Sequence, residues 1–251
     1  MTRPILSAIV GPPYWGVDCV APAHKPFGDE PTLYDYVVKQ SNGRLPAYFG
    51  RYLTPAEYQK VTQPEVEFLS SRGCRILLNY NQFGASAVAT KGQAGRDNAR
   101  AHAAMAANFA RGIGVPSIRI SPAVFLYANI DSGFKPSSDW IAAWWDGLWD
   151  EGFGPGLYFP AAGSTTIANA VAKCNIPEAQ YWISIWSWSG QSQKGKNTSA
   201  SDFLAVPPVF LPWAVDIWQY STKCFAYGGD DNKSFDMNLA TQVGYEIMWK
   251  V

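Results

Sequence analysis

Short apolar runs that end in a polar residue recur along the chain and alternate with segments of helical spacing. The run 124–128 passes into Asn129, Ile130 and Asp131. Side chains alternate across a strand, so Asn129 and Asp131 share a face. Asp18 closes a similar run, and Asp236 lies in another, 235–239. Eight such segments read as strands: 5–18, 47–53, 75–81, 124–131, 156–160, 181–186, 215–220 and 235–239. Helical spacing lies between most of them. Thr54 and Pro55 form a cap followed by proline at the first helical position, and Thr62 with Pro64 opens a piece ending near Gly73. The segments 92–111, 138–151 and 164–173 complete the helices, the first two closed by Gly112 and Gly152.

This alternation predicts an α/β fold: a parallel (β/α)8 TIM-type barrel with some crossovers replaced by loops, formed by residues 1–251 as one domain. An open doubly wound sheet is the rival, but no glycine-rich nucleotide loop follows a strand. In a barrel, chemistry belongs at the C-terminal strand ends. Asp18, Asn129, Asp131 and Asp236 fall on or near those ends.

Three carboxylates at one point suit glycosidic bond cleavage. One acid, kept protonated by burial and crowding, protonates the leaving oxygen, and the others stabilise the developing positive charge. Asp131 is the candidate acid, with Asp18 and Asp236 supporting; the plain alternative is that both are turn residues bonded to backbone. Arg51 and Tyr52 end the second strand. Arg51 has three open readings: holding a substrate carboxylate, orienting Asp18, or a structural ion pair. Asn79 and Asn81 end the third strand and offer amides to sugar hydroxyls. Trp186, Trp218 and Tyr220 are candidate stacking platforms for sugar rings. Trp182 and Trp188 share the parity of Trp186. Trp140, Trp144, Trp145 and Trp149 follow a helical stripe and read as core instead.

Composition narrows the partners. The formal net charge is zero and no basic cluster occurs, which excludes a nucleic-acid partner of the usual kind. No run is long enough to span a bilayer. The start of the chain flows into the first strand and does not read as a signal peptide. The expected settings are cytoplasmic, phage-borne or delivered to the cell wall, or secreted with its leader removed. Cys19, Cys74, Cys174 and Cys224 are widely spaced, and His24 and His102 are the only histidines, so neither a metal site nor a cofactor is expected. One or two disulfides remain open. A monomer is expected.

Several pieces taken together resemble a known group. They are Gly16-Val17-Asp18-Cys19, Phe49-Gly50-Arg51-Tyr52-Leu53, Leu78-Asn79-Tyr80-Asn81, Leu126 to Asp131, Gly156-Leu157-Tyr158, Ile217-Trp218-Gln219-Tyr220 and Phe235-Asp236-Met237-Asn238. In this order they resemble the bacterial glycoside-hydrolase-like barrels of the domain-of-unknown-function 1906 type, relatives of the family 25 lysozymes. The resemblance implies a (β/α)8 barrel that cleaves the glycan of peptidoglycan. It puts Asp18 in the place of the first-strand acid and Asp236 in that of the last-strand acid. Asn129 and Asp131 stand where those enzymes carry an Asp-x-Glu pair. The acid is thus one methylene shorter, and its partner is an amide suited to a substrate acetamido group. Two alternatives follow: a non-catalytic glycan-binding module on a degenerate glycosidase barrel, and a glycosidase for another polysaccharide.

Overall fold

A computed structural model describes residues 13–118, 123–160, 164–174, 184–188 and 215–251. The strands are β1 (Tyr14–Asp18), β2 (Tyr48–Leu53), β3 (Arg75–Tyr80), β4 (Phe125–Asn129), β5 (Gly154–Pro160), β6 (Ser184–Trp188), β7 (Ile217–Cys224) and β8 (Phe235–Ala240). The helices are α1 (Leu33–Gln40), α2 (Gln63–Ser71), α3 (Ala85–Ala89), α4 (Gly92–Gly112), α5 (Ser138–Asp150), α6 (Ser164–Ala172) and α7 (Gln242–Glu246).

The fold is mixed α/β. Strands β1 to β7 pair in chain order as a curled parallel sheet, and β8 joins β7 to β1. The predicted all-parallel (β/α)8 arrangement needs correction here, because β8 is antiparallel to both neighbours. Its cause is local. Only residues 225–234 separate β7 from β8, and a parallel return needs a crossover of about a dozen residues or more. The segment instead turns back through Tyr227–Gly229, where Gly228 and Gly229 hold positive φ.

Alternation along the strands separates two apolar layers. Tyr48, Leu77, Phe125, Tyr127, Trp186 and Ile217 fill the inside of the curled sheet. Val17, Phe49, Ile76, Leu78, Leu126 and Ala128 face the helices. Inside, glycines make room for rings: a Cβ on Gly156 would lie 2.5 Å from Tyr127. The chain end closes the floor, where Ile76 and Trp249 exchange backbone hydrogen bonds and Phe125 N–H donates to the Ile247 carbonyl. The opposite end, at the C-termini of the parallel strands, is polar.

The helical stripe on α5 packs as its spacing predicts. Trp140, Trp144 and Trp145 are buried, and the first two stack at 5.6 Å. Two local expectations change. The piece opened by Thr54 and Pro55 makes a single turn, because the chain comes back to give Val61 N–H to the Tyr52 carbonyl. Helix α1 has no counterpart among the predicted helices. Its signal is Thr32, whose hydroxyl caps Asp35 N–H at 3.1 Å, followed by buried Leu33, Tyr34, Tyr36 and Val37. Of the predicted strand 5–18, residues 5–12 lie outside the described residues, as do residues 181–183 of 181–186, and with them Trp182. All four cysteines are free thiols. Burial pushes Cys19, Cys74 and Cys174 up to about 12, which leaves them inert as nucleophiles. Among the described residues no helix is long and apolar enough to cross a membrane.

Candidate active site

Asp18 ends β1 and pairs in register with Asp236 of β8. The reversal of β8 is what makes this possible. Asp236 is the second residue of its strand, and in a parallel strand it would lie at the floor. Running backwards, β8 brings it to the polar end beside Asp18. Gly50, the β2 partner of Asp18, carries no side chain for a reason: a Cβ there would lie 2.4 Å from the Asp18 Cβ.

Amides hold both acids. Asn238 Nδ2 donates to Asp18 at 2.7 Å, and Trp186 Nε1 donates to Asn238 Oδ1 at 2.9 Å. Gln219 Nε2 and the Lys223 N–H each donate to Asp236 at 2.7 Å, and the Tyr158 hydroxyl donates to Gln219 Oε1 at 2.8 Å. Asp18 is buried, and burial together with the charge of Asp236 holds its carboxyl well above the usual range. Burial pushes Asp236 up to about 6, against the opposing pull of Lys223 and Gln219. Asp236 itself is half-buried. Each carboxyl thus holds its proton more tightly than an isolated acid does.

Tyr52 and Tyr158, both half-buried, line the same space. Burial raises their phenols well above the ordinary value, with the charge of Asp18 next in effect on each. Asp236 adds to the rise on both, and Asp131 adds to it on Tyr158. Tyr158 therefore sits within the field of all three acids. Asp131 is exposed just past β4 and accepts the Ser132 N–H at 2.6 Å. Asn129, half-buried, is the register partner of Tyr158.

The remaining candidates separate by strand parity. Asn79 faces inward beside Tyr52 and is buried, with neither amide atom hydrogen-bonded; Asn81 lies just beyond, half-exposed. Arg51 points to the helix side. It is fully buried, pairs with the equally buried Glu65 of α2 at 2.8 Å, and donates to the carbonyls of Cys19, Val20 and Gln59. Of its three open readings the structural ion pair is the one formed. Trp186 is buried inside the sheet as a donor to Asn238, which removes it from the exposed platforms. Trp218 and Tyr220 take the outward parity of β7 and pack against the helix-side core, away from the acids.

Gln219, Asn238 and Tyr158 are site residues the sequence reading passed over as such. Their signal is a polar or phenolic side chain at the inward parity of a strand: Asn238 lies two residues after Asp236, and Gln219 lies between two outward aromatics. Among the described residues no cluster of His, Cys, Asp and Glu forms a metal site.

A family model described as "Rv2525c-like, glycoside hydrolase-like domain" matches residues 46–240. An uncharacterized B. stearothermophilus protein of known crystal structure superposes with a TM-score of 0.67 at 23% identity, over 94% of this chain and 100% of that one. The Clostridium perfringens spore cortex lytic enzyme SleM gives 0.53 at 10% identity, over 96% of this chain and 68% of that one. A muramidase from Acremonium alcalophilum gives 0.51 at 12% identity, over 93% and 98%. These likenesses are of fold. No curated protein sequence matches the chain.

Proposed function

We propose that this chain, which belongs to the Rv2525c-like, glycoside hydrolase-like domain family, hydrolyses glycosidic bonds in the glycan of cell-wall peptidoglycan. One observation carries the reading: Asp18 and Asp236 are register partners at the polar end, the first buried and the second half-buried, both held by amides and both raised in proton affinity. Glycosidases commonly break a sugar–oxygen bond between carboxyl groups held in different environments, one donating a proton and the others stabilising the positive charge that develops. The fold shared with a muramidase and a spore cortex lytic enzyme supports peptidoglycan as the substrate.

Asp131 gives its proton to the glycosidic oxygen, and the bond from that oxygen to the anomeric carbon breaks. The negative charge of the Asp18–Asp236 pair stabilises the oxocarbenium ion that develops. Water then adds to the anomeric carbon, and its proton returns to Asp131. Asn129 and Tyr52 hold the sugar against the acids. A second reading, a glycan-binding module without catalysis, is favoured by the exposure of Asp131 and by its bond to Ser132 N–H, which turns the carboxylate into its own turn.

Reducing-end release from purified peptidoglycan, with wild type, Asp131→Asn and Asp236→Asn side by side, tests both. Release lost in Asp131→Asn supports the assignment. Release that survives in Asp131→Asn and disappears in Asp236→Asn moves the donor role to Asp236. No release by wild type that still pellets with the wall selects the binding module.

A further inference from the structure

Arg51 and Glu65 form a buried pair outside the sheet, yet their bonds reach the polar end. One guanidinium takes the carbonyls of Cys19 and Val20, at 3.0 Å for Val20, and that of Gln59 at 3.0 Å. Glu65 accepts Ala23 N–H at 2.6 Å. The loop after β1 and the loop after β2 are thus fastened to one ion pair from beneath. A forked donor with fixed geometry sets the spacing of both loops.

The fastened β2 loop presents an aromatic ring. Tyr58 is 66% exposed, and Gln59 Nε2 donates to its hydroxyl at 3.2 Å. From Gln59 a line of amides runs across to β3: Asn81 Nδ2 donates to Gln59 Oε1 at 3.4 Å, and Gln82 Nε2 donates to Asn81 Oδ1 at 2.6 Å. Asn79, two residues before Asn81, has the inward parity of β3 and makes no hydrogen bond to this line. Its carbonyl and amino groups are both buried without a partner, an arrangement that folded proteins seldom leave unless something else supplies the bonds. A lone exposed tyrosine needs no explanation. A ring on an anchored loop, with a line of amides running from it and a separate unpartnered amide buried at the polar end, is what a sugar chain requires: a flat apolar face and alternating donors and acceptors.

We infer that the loops after β2 and β3 form an outer sugar subsite, with Tyr58 as the stacking platform, Gln59, Asn81 and Asn79 as hydrogen-bonding groups, and Arg51 as the positioning residue that holds it. The subsite rests on the glycan reading of the polar end. It adds a contact for a sugar unit beyond the bond that is cleaved.

The test is calorimetric titration of the Asp131→Asn protein, which leaves the oligosaccharide uncut, with β-1,4-linked N-acetylglucosamine oligomers from disaccharide to hexasaccharide. Affinity is expected to rise with length. Adding Tyr58→Ala lowers affinity for the hexasaccharide about tenfold, equal to about 1.4 kcal/mol, and leaves the disaccharide unchanged. Tyr58→Trp restores it. Arg51→Lys, which keeps the charge on Glu65 and loses the fork, gives the same length-dependent loss with an unchanged circular dichroism spectrum. Hexasaccharide affinity indifferent to Tyr58→Ala overturns the subsite and leaves the proposed function standing. Absence of binding for every oligomer and for insoluble peptidoglycan overturns both.

Discussion

Two buried carboxyls on opposite faces of the same sheet meet burial in opposite ways. Glu65, on the helix side, has a guanidinium at 2.8 Å and a backbone N–H at 2.6 Å. Asp18, on the inner side, has an amide from Asn238, with another acid as its register partner, and the positive charge of Arg51 is the smallest influence on it. The first arrangement neutralises a charge and serves the architecture. The second leaves an acid with no cation hydrogen-bonded to it, which architecture does not need and the stabilisation of a developing positive charge does. Unneutralised burial therefore marks the inner site more clearly than the presence of carboxylates as such.

The comparison breaks most severely at the ion pair. Arg51→Met leaves Glu65 buried without its cation and should lower unfolding free energy by about 3–5 kcal/mol, read from urea midpoints. The double change with Glu65→Leu should recover most of that loss; a double variant as unstable as the single would refute the pairing account. Next is the seat of Asp18. Gly50→Ala puts a methyl 2.4 Å from the Asp18 Cβ, and a cost of about 1–3 kcal/mol is expected, with activity falling further than stability.

The acid pair has a pH signature of opposite sign to an ordinary salt-bridged aspartate. Asp236 titrates at about 6 when folded, above an unfolded value of about 3.9, so the folded state binds more protons between those limits. Stability from this group is complete below pH about 4 and is lost as pH rises through about 6, by about 3 kcal/mol. Subtracting the Asp236→Asn profile from that of wild type should isolate this fall; a flat difference would count against the buried pair. The smallest structural effect is expected at the exposed rim. Asp131→Asn should change stability by less than about 0.5 kcal/mol while abolishing glycan cleavage. A large loss of stability there would show that Asp131 supports the fold.

Much of this site was legible as periodicity. Apolar runs ending in Asp18 and Asn129 located strand ends, and the tryptophan stripe on α5 announced a packed face. Parity carries further information: Arg51 and Tyr52 are adjacent, so only one of them can face the acids, and the polar positions 219 and 238 alternate with outward residues. The short connection 225–234, with its paired glycines, held the signal for a reversed last strand.

Local sequence determines which residues alternate, where a strand must end and which stretches spiral, because those depend on backbone geometry and neighbouring side chains. It could not determine which acids meet. Asp18 and Asp236 lie far apart in the chain, and their contact exists only because β8 closes the sheet in reverse. Their raised proton affinity likewise arises from burial, and on Asp18 from the charge of Asp236 as well, which depend on the packed surroundings of a group and not on the residue's own chemistry.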